Sequence, residues 1–206
     1  MTQRSHQVPL WLKVLCTLYV LVLIWLYQNT YGPANFLWFC DIAFFVTIAA
    51  LWMESALLAS MAAITVLLPD IAWTVAFCCR LLVGIELGGI TGYMFNPAIP
   101  LAVRAISLFH FFLPVLLLWL IHRLGYDRRA WRLQTLGCWA VLLATFWLTN
   151  PKDNINHVFG PGSQPQHRIP PLLYLLIVMW LIPLLVYFPT HLALLRMFPR
   201  RKRTEG

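Results

Sequence analysis

Four residues interrupt segments that would otherwise be apolar: Cys40 and Asp41 side by side, then Asp70, then His110. Ser107 precedes His110 by three positions, a spacing that puts both on one face of a helix. A nucleophile, a histidine base and an orienting carboxylate are the parts of acyl-transfer chemistry. On this reading Cys40 attacks an acyl carbonyl, His110 takes the thiol proton, and Asp41 stabilises the imidazolium. The base is needed because a thiol buried among apolar groups supplies little thiolate by itself. Arg104, Ser107, Asp70, Asn154 and Asn156 are the candidates for holding substrate. Two other readings use the same residues. Asp41 or Asp70 paired with Arg104 would simply pin helices together. In a carrier, Asp41, Asp70 and His110 would form a proton or cation relay.

The elements that position these residues follow from composition. Hydrophobic residues make up 61% of the 206-residue chain and charged ones 11%, with a mean hydropathy of +0.74. Soluble domains carry about 25% charged residues, so lipid must serve as much of the solvent. Apolar runs such as Leu113–Leu120 and Leu172–Ile182 are continuous rather than alternating. That excludes a β-barrel and predicts an all-α polytopic transmembrane bundle in a single domain. Six apolar segments of 18 residues or more, about 10–27, 34–53, 55–77, 99–124, 131–149 and 170–195, are long enough to cross a core of ~30 Å. The glycine-rich stretch 81–95 is expected as a short interfacial or re-entrant helix, or as part of a seventh span.

Lysine and arginine counts set the orientation. With six spans, eleven basic residues fall on the side of the termini and the Tyr126–Arg132 loop, against four on the other side. Both termini are therefore expected in the cytoplasm. Lys13 interrupts the first segment and no small-residue cleavage site follows it, so a retained signal-anchor is expected rather than a cleaved peptide. The net charge of +8 sits at the rims of apolar runs, as in Arg200, Arg201, Lys202 and Arg203. This distribution suits anionic lipid headgroups, not nucleic acid.

At ~1.5 Å per residue, Asp41, Asp70, Arg104 and His110 share the outer half of the membrane, with Asn154, Asn156 and His157 in the loop above. The cytoplasmic half is expected to be plain apolar helix with a basic rim. There Glu54 would cap a turn, and His122 and His191 would snorkel to the interface. The five cysteines show no CxxC spacing, so neither a metal site nor a cofactor is expected. Membrane lipid is the one expected partner.

Three short motifs carry a family resemblance. Phe39-Cys40-Asp41-Ile42-Ala43 resembles the Leu-Cys-Asp-Ile stretch of the bacterial YwaF-like integral membrane family. His110 followed by Pro114 is similar to that family's histidine helix, and Asn154-Ile155-Asn156 before Phe159, Gly160 and Pro161 resembles its outer turn. That family is in turn similar to androgen-induced membrane hydrolases and a glycerophospholipid acyltransferase, which use a Thr or Cys nucleophile on an early helix and a later His. The resemblance implies a lipid acyl hydrolase or acyltransferase of the bacterial inner (plasma) membrane. Cys40 would be its nucleophile and His110 its base, with Asn154 and Asn156 as positioning donors.

Overall fold

In a computed structural model, which describes residues 8–162 and 164–199, the chain is helical, with no strand among the described residues. The helices are α1 (Leu10–Thr30), α2 (Phe39–Met53), α3 (Ala56–Val83), α4 (Leu101–Ile106), α5 (Phe109–Leu124), α6 (Ala130–Leu148), α7 (Pro171–Ile182) and α8 (Phe188–Met197). Four stretches are long and apolar enough to cross a membrane: Leu10–Thr30, Ala56–Val83, Leu101–Leu124 and Pro171–Met197. The basic residues Arg4 and Arg200–Arg203 lie outside the described residues.

The sixfold segmentation expected from hydropathy is redistributed. The segment expected over 34–53 divides into a 3-10 turn, Pro33–Leu37, and the 15-residue α2. Trp38 is extended between them, and the Asn156 side chain takes the backbone polar groups exposed at the break. α6 has 19 residues but is less apolar, carrying Arg132, Gln134 and Thr135 in its first turns. The stretch 81–95 forms no helix of its own. Leu81–Val83 complete α3, Gly84 ends it at φ 75°, and after irregular chain only Gly92–Phe95 form a 3-10 turn. A left-handed residue at this position is the usual helix stop, and glycine adopts it without strain.

α3 is the central element, packed against α2, α5 and α6. Its start is fixed by Ser55, whose Oγ accepts the Leu58 N–H at 3.3 Å. At ~1.5 Å per residue its 28 residues extend about 42 Å, longer than a ~30 Å membrane core, and its last residues, Leu81–Val83, are exposed. Small residues Ala59, Ser60, Ala62 and Ala63 are fully buried on it and let neighbouring backbones approach.

Prolines bend the other long stretches. Pro114 lacks an N–H for the His110 carbonyl, and its ring crowds that carbonyl. The chain loosens there: Ser107 and Leu108 separate α4 from α5, joined by i→i+3 bonds such as His110 N–H to Ser107 O at 3.3 Å. Pro183 opens a π-helical turn, Pro183–Tyr187, between α7 and α8. Trp139 Nε1 ties α6 to α7 through the Met179 carbonyl at 2.7 Å.

Polar contacts show which helix ends lie together. Lys13 of α1 meets Glu54 between α2 and α3 at 2.9 Å. Ser60 Oγ accepts the Asp127 N–H of the α5–α6 loop at 3.0 Å, and Tyr126 of that loop pairs with His191 of α8 at 2.6 Å. This end of the bundle differs from the expected plain apolar packing. Lys13 and His191 are buried, Glu54 is an ion-pair partner as well as the left-handed C-cap of α2, and His191 is enclosed between Tyr126 and Trp131 rather than snorkelling. In the same loop, hydrogen bonds from Arg129 hold the Asp127 carboxyl below the usual carboxylate range. The opposite end collects the Pro33–Leu37 turn, the 84–100 stretch and the α6–α7 loop.

Candidate functional site: a buried polar cluster around His110

Each candidate residue reaches this opposite end through a different local device. Asp41 stands in the first turn of α2, where the helix dipole favours an acid. It is 1% exposed; its Oδ2 accepts from Asn35 Nδ2 at 3.3 Å, and its Oδ1 has no partner. Asp70 follows Pro69 inside α3 and is equally buried. His110 opens the first turn of α5, just past the break at Ser107.

The histidine is held on three sides. Its Nδ1 lies 2.7 Å from the Ser107 carbonyl, which can only accept, so Nδ1 carries the proton in that bond. Its Nε2 faces Asp70 Oδ1 at 3.9 Å, while Asp70 Oδ2 has no partner. Its ring stacks on Trp73 with centroids 4.6 Å apart and planes 17° from parallel. With Nδ1–H so engaged, Nε2 is the open nitrogen of the ring, and it faces the Asp70 carboxyl group.

The partner of His110 is thus Asp70, not Asp41. Nor does a hydrogen bond join His110 to Cys40 among the described residues. Cys40 occupies the second position of α2, next to Asp41 in the chain, and is half-buried. Asp70 is the acid that faces His110 among the described residues, and both are buried.

The remaining candidates are already engaged. Arg104 makes no ion pair with Asp41 or Asp70; it donates to the Ile99 and Met94 carbonyls, both at 3.0 Å. The expected Asp–Arg104 pairing is absent because α4 turns the guanidinium back onto its own entry loop. The Ser107 hydroxyl contacts Tyr27 at 2.6 Å and Val103 O at 3.3 Å, so the part of Ser107 that acts on His110 is its carbonyl. Asn154 donates to the Gly160 and Gly162 carbonyls at 2.9 and 2.7 Å and accepts the Phe159 N–H at 2.9 Å. A Cβ at Gly160 would stand 2.6 Å from the Gln164 carbonyl, so only glycine lets this loop fold so tightly. Asn156 donates to Leu37 O at 2.7 Å and to Thr145 Oγ1 at 3.4 Å, and accepts the Phe39 N–H at 3.0 Å. Both asparagines have their amide hydrogens occupied, which leaves neither as an oxyanion donor. Their work is to shape the loop and to fix the start of α2, one residue before Cys40.

No family model, curated protein or solved structure matches the chain.

Several members of the cluster went unnoticed in the sequence. Tyr27 reaches Ser107 from α1, Asn35 reaches Asp41 from the 3-10 turn, and Tyr93 sits beside Ser107 and Trp73 from the 84–100 stretch. Trp73 had a legible signal, since it stands three residues after Asp70 on the same helical face. Tyr27 and Tyr93 had none, because aromatic residues are common at membrane interfaces. Among the described residues no group of three or more His, Cys, Asp or Glu is arranged to hold a metal ion.

Proposed function

We propose that the chain is an integral membrane protein of about six spans with both termini in the cytoplasm, and that the cluster around His110 performs acyl-ester hydrolysis or acyl transfer on a membrane lipid. The topology is supported by the charge bias of eleven basic residues against four. It is also supported by the way Lys13–Glu54, Ser60–Asp127 and Tyr126–His191 gather the expected cytoplasmic ends. For the chemistry, the carrying observation is the orientation of His110. With Nδ1–H committed to the Ser107 carbonyl at 2.7 Å, Nε2 is the ring's open nitrogen, and it faces Asp70 at 3.9 Å.

The steps follow from that arrangement. Nε2 takes the Cys40 proton, and Asp70 stabilises the imidazolium in the role expected of Asp41. The thiolate attacks the acyl carbonyl carbon; a C–S bond forms, the ester C–O bond breaks, and the alcohol leaves with the imidazolium proton. Water or a second alcohol then opens the thioester, passing its proton to Nε2, which returns it to the thiol. The N–H groups of Cys40 and Asp41, in the first turn of α2, would serve as donors to the developing oxyanion. Apo nucleophile–base contacts are often long, so closure of Cys40 on His110 belongs to the substrate-bound state. An acyl-type activity probe tests the scheme: His110→Ala should lower the labelling rate by about 10²–10⁴-fold, and Cys40→Ala should abolish it. Full labelling in both variants would end it.

A second reading is favoured by a specific observation. Asp41 Oδ1 and Asp70 Oδ2 are buried without partners, as a proton- or cation-linked carrier requires and a purely structural network does not. Transport in proteoliposomes that is lost in Asp41→Asn and kept in Cys40→Ala would favour the carrier.

A further inference from the structure

A concavity on the molecule's surface lies away from the polar cluster. It is an apolar groove of about 680 Å³ between α1 and α5, with Leu12, Leu15 and Tyr19 on one wall and Phe112, Val115 and Trp119 on the other. Leu15 and Val115 are exposed along it, so it opens onto the lipid-facing surface. Its upper end is closed by Tyr19, whose ring meets Phe112 edge-on at 5.0 Å and whose hydroxyl donates to the Ile106 carbonyl at 2.6 Å. The closure separates it from His110, which faces α3 instead.

From Tyr19 down to Leu12 the groove runs about 10 Å at ~1.5 Å per residue. That is most of the depth of one leaflet in a ~30 Å core. Its lower end carries charge. The Arg123 guanidinium lies over the Trp119 ring at 5.5 Å, one helical turn beyond the last groove residue. Arg123 is exposed, and among the described residues no acid faces it. An uncharged trough that runs most of one leaflet, ending at a cation that no acid among the described residues faces, complements one molecular shape: an acyl chain below an anionic headgroup.

We infer that the α1–α5 groove is a binding site for one anionic phospholipid, its acyl chain along Leu12–Tyr19 and its phosphate on Arg123. The site is independent of the chemistry proposed at His110. Its lower end belongs to the side assigned to the cytoplasm, where anionic lipids are abundant.

Native mass spectrometry of the detergent-purified full chain, supplied with phosphatidylglycerol and phosphatidylcholine of equal chain length, tests the assignment. Phosphatidylglycerol should be retained about fivefold over phosphatidylcholine, the discrimination expected of one basic residue at an anionic surface. Arg123→Gln should abolish the preference without lowering retention of phosphatidylcholine. Val115→Trp, which fills the trough, should lower retention of both lipids. Arg123 is exposed, so its variant folds, and unchanged Cys40 probe labelling serves as the control. Equal retention of the two lipids by the wild-type chain would overturn the inference, leaving a surface wetted by bulk lipid. So would a preference that survives Arg123→Gln, or a dimer mass that Val115→Trp removes, which would make the groove a contact between two copies.

Discussion

The two ends of the helical bundle treat buried polar groups in opposite ways. Where α1 begins, they come as complete pairs: Lys13 with Glu54, the Ser60 hydroxyl with the Asp127 N–H, Tyr126 with His191. Around His110 they converge from α1, α2, α3, α5 and the 84–100 stretch, yet Asp41 Oδ1, Asp70 Oδ2 and Trp73 Nε1 are left without partners. Burying an unpaired polar atom costs free energy that a pair recovers. The first end is therefore built for assembly. The second leaves two carboxyl oxygens unpaired, a cost that a reacting or bound group would offset; away from it, among the described residues, the buried Tyr187 hydroxyl of the α7–α8 π-turn is also without a partner.

The comparison breaks most directly at Asp70. Asp70→Asn preserves shape and removes the ionisable carboxyl facing His110, so probe labelling should slow by about 100-fold or more, while thermal stability in detergent stays within about 1 kcal/mol. A large loss of stability with labelling intact would make Asp70 a structural residue. The paired end should show the reverse. Glu54→Ala leaves the buried Lys13 ammonium without its carboxylate and should destabilise the fold by about 3 kcal/mol, with little change in labelling per folded molecule. Lys13→Met combined with Glu54→Leu should recover most of that loss.

Asn156 lies between the two behaviours. Asn156→Ala orphans the Phe39 N–H and the Leu37 carbonyl, for a cost of about 2 kcal/mol. Because it also frees the start of α2, labelling at Cys40 should fall as well, and an unchanged rate would show that α2 is positioned by packing alone. Tyr126→Phe is the mildest test. Losing the 2.6 Å bond to His191 should cost about 1 kcal/mol in a melting experiment and leave labelling untouched.

Much of this organisation was legible in the chain. Continuous apolar runs and the scarcity of charge required membrane-length helices, because neither solvated surface nor an alternating strand can be made from them. The depth shared by Asp41, Asp70 and His110 followed from helical rise alone. The identity of the pairs did not. Whether His110 meets Asp41 or Asp70 depends on how α5 is rotated about its axis, and the break before Pro114 sets that rotation. Arg104 looked like a natural counter-ion by position, but the turn of α4 spends its guanidinium on local carbonyls. Asn154 and Asn156 looked like free donors because a loop sequence does not reveal which backbone groups it must satisfy.

What the sequence by itself determined is an all-helical chain with stretches apolar enough to cross a membrane and polar residues gathered toward one end, since hydropathy and rise per residue are local properties. What only the tertiary structure decided is which of those residues remain available. Hydrogen bonds between Asn156 and α2, Tyr27 and Ser107, and His110 and the Ser107 carbonyl depend on helix rotation and loop closure, which arise when the whole bundle packs around α3.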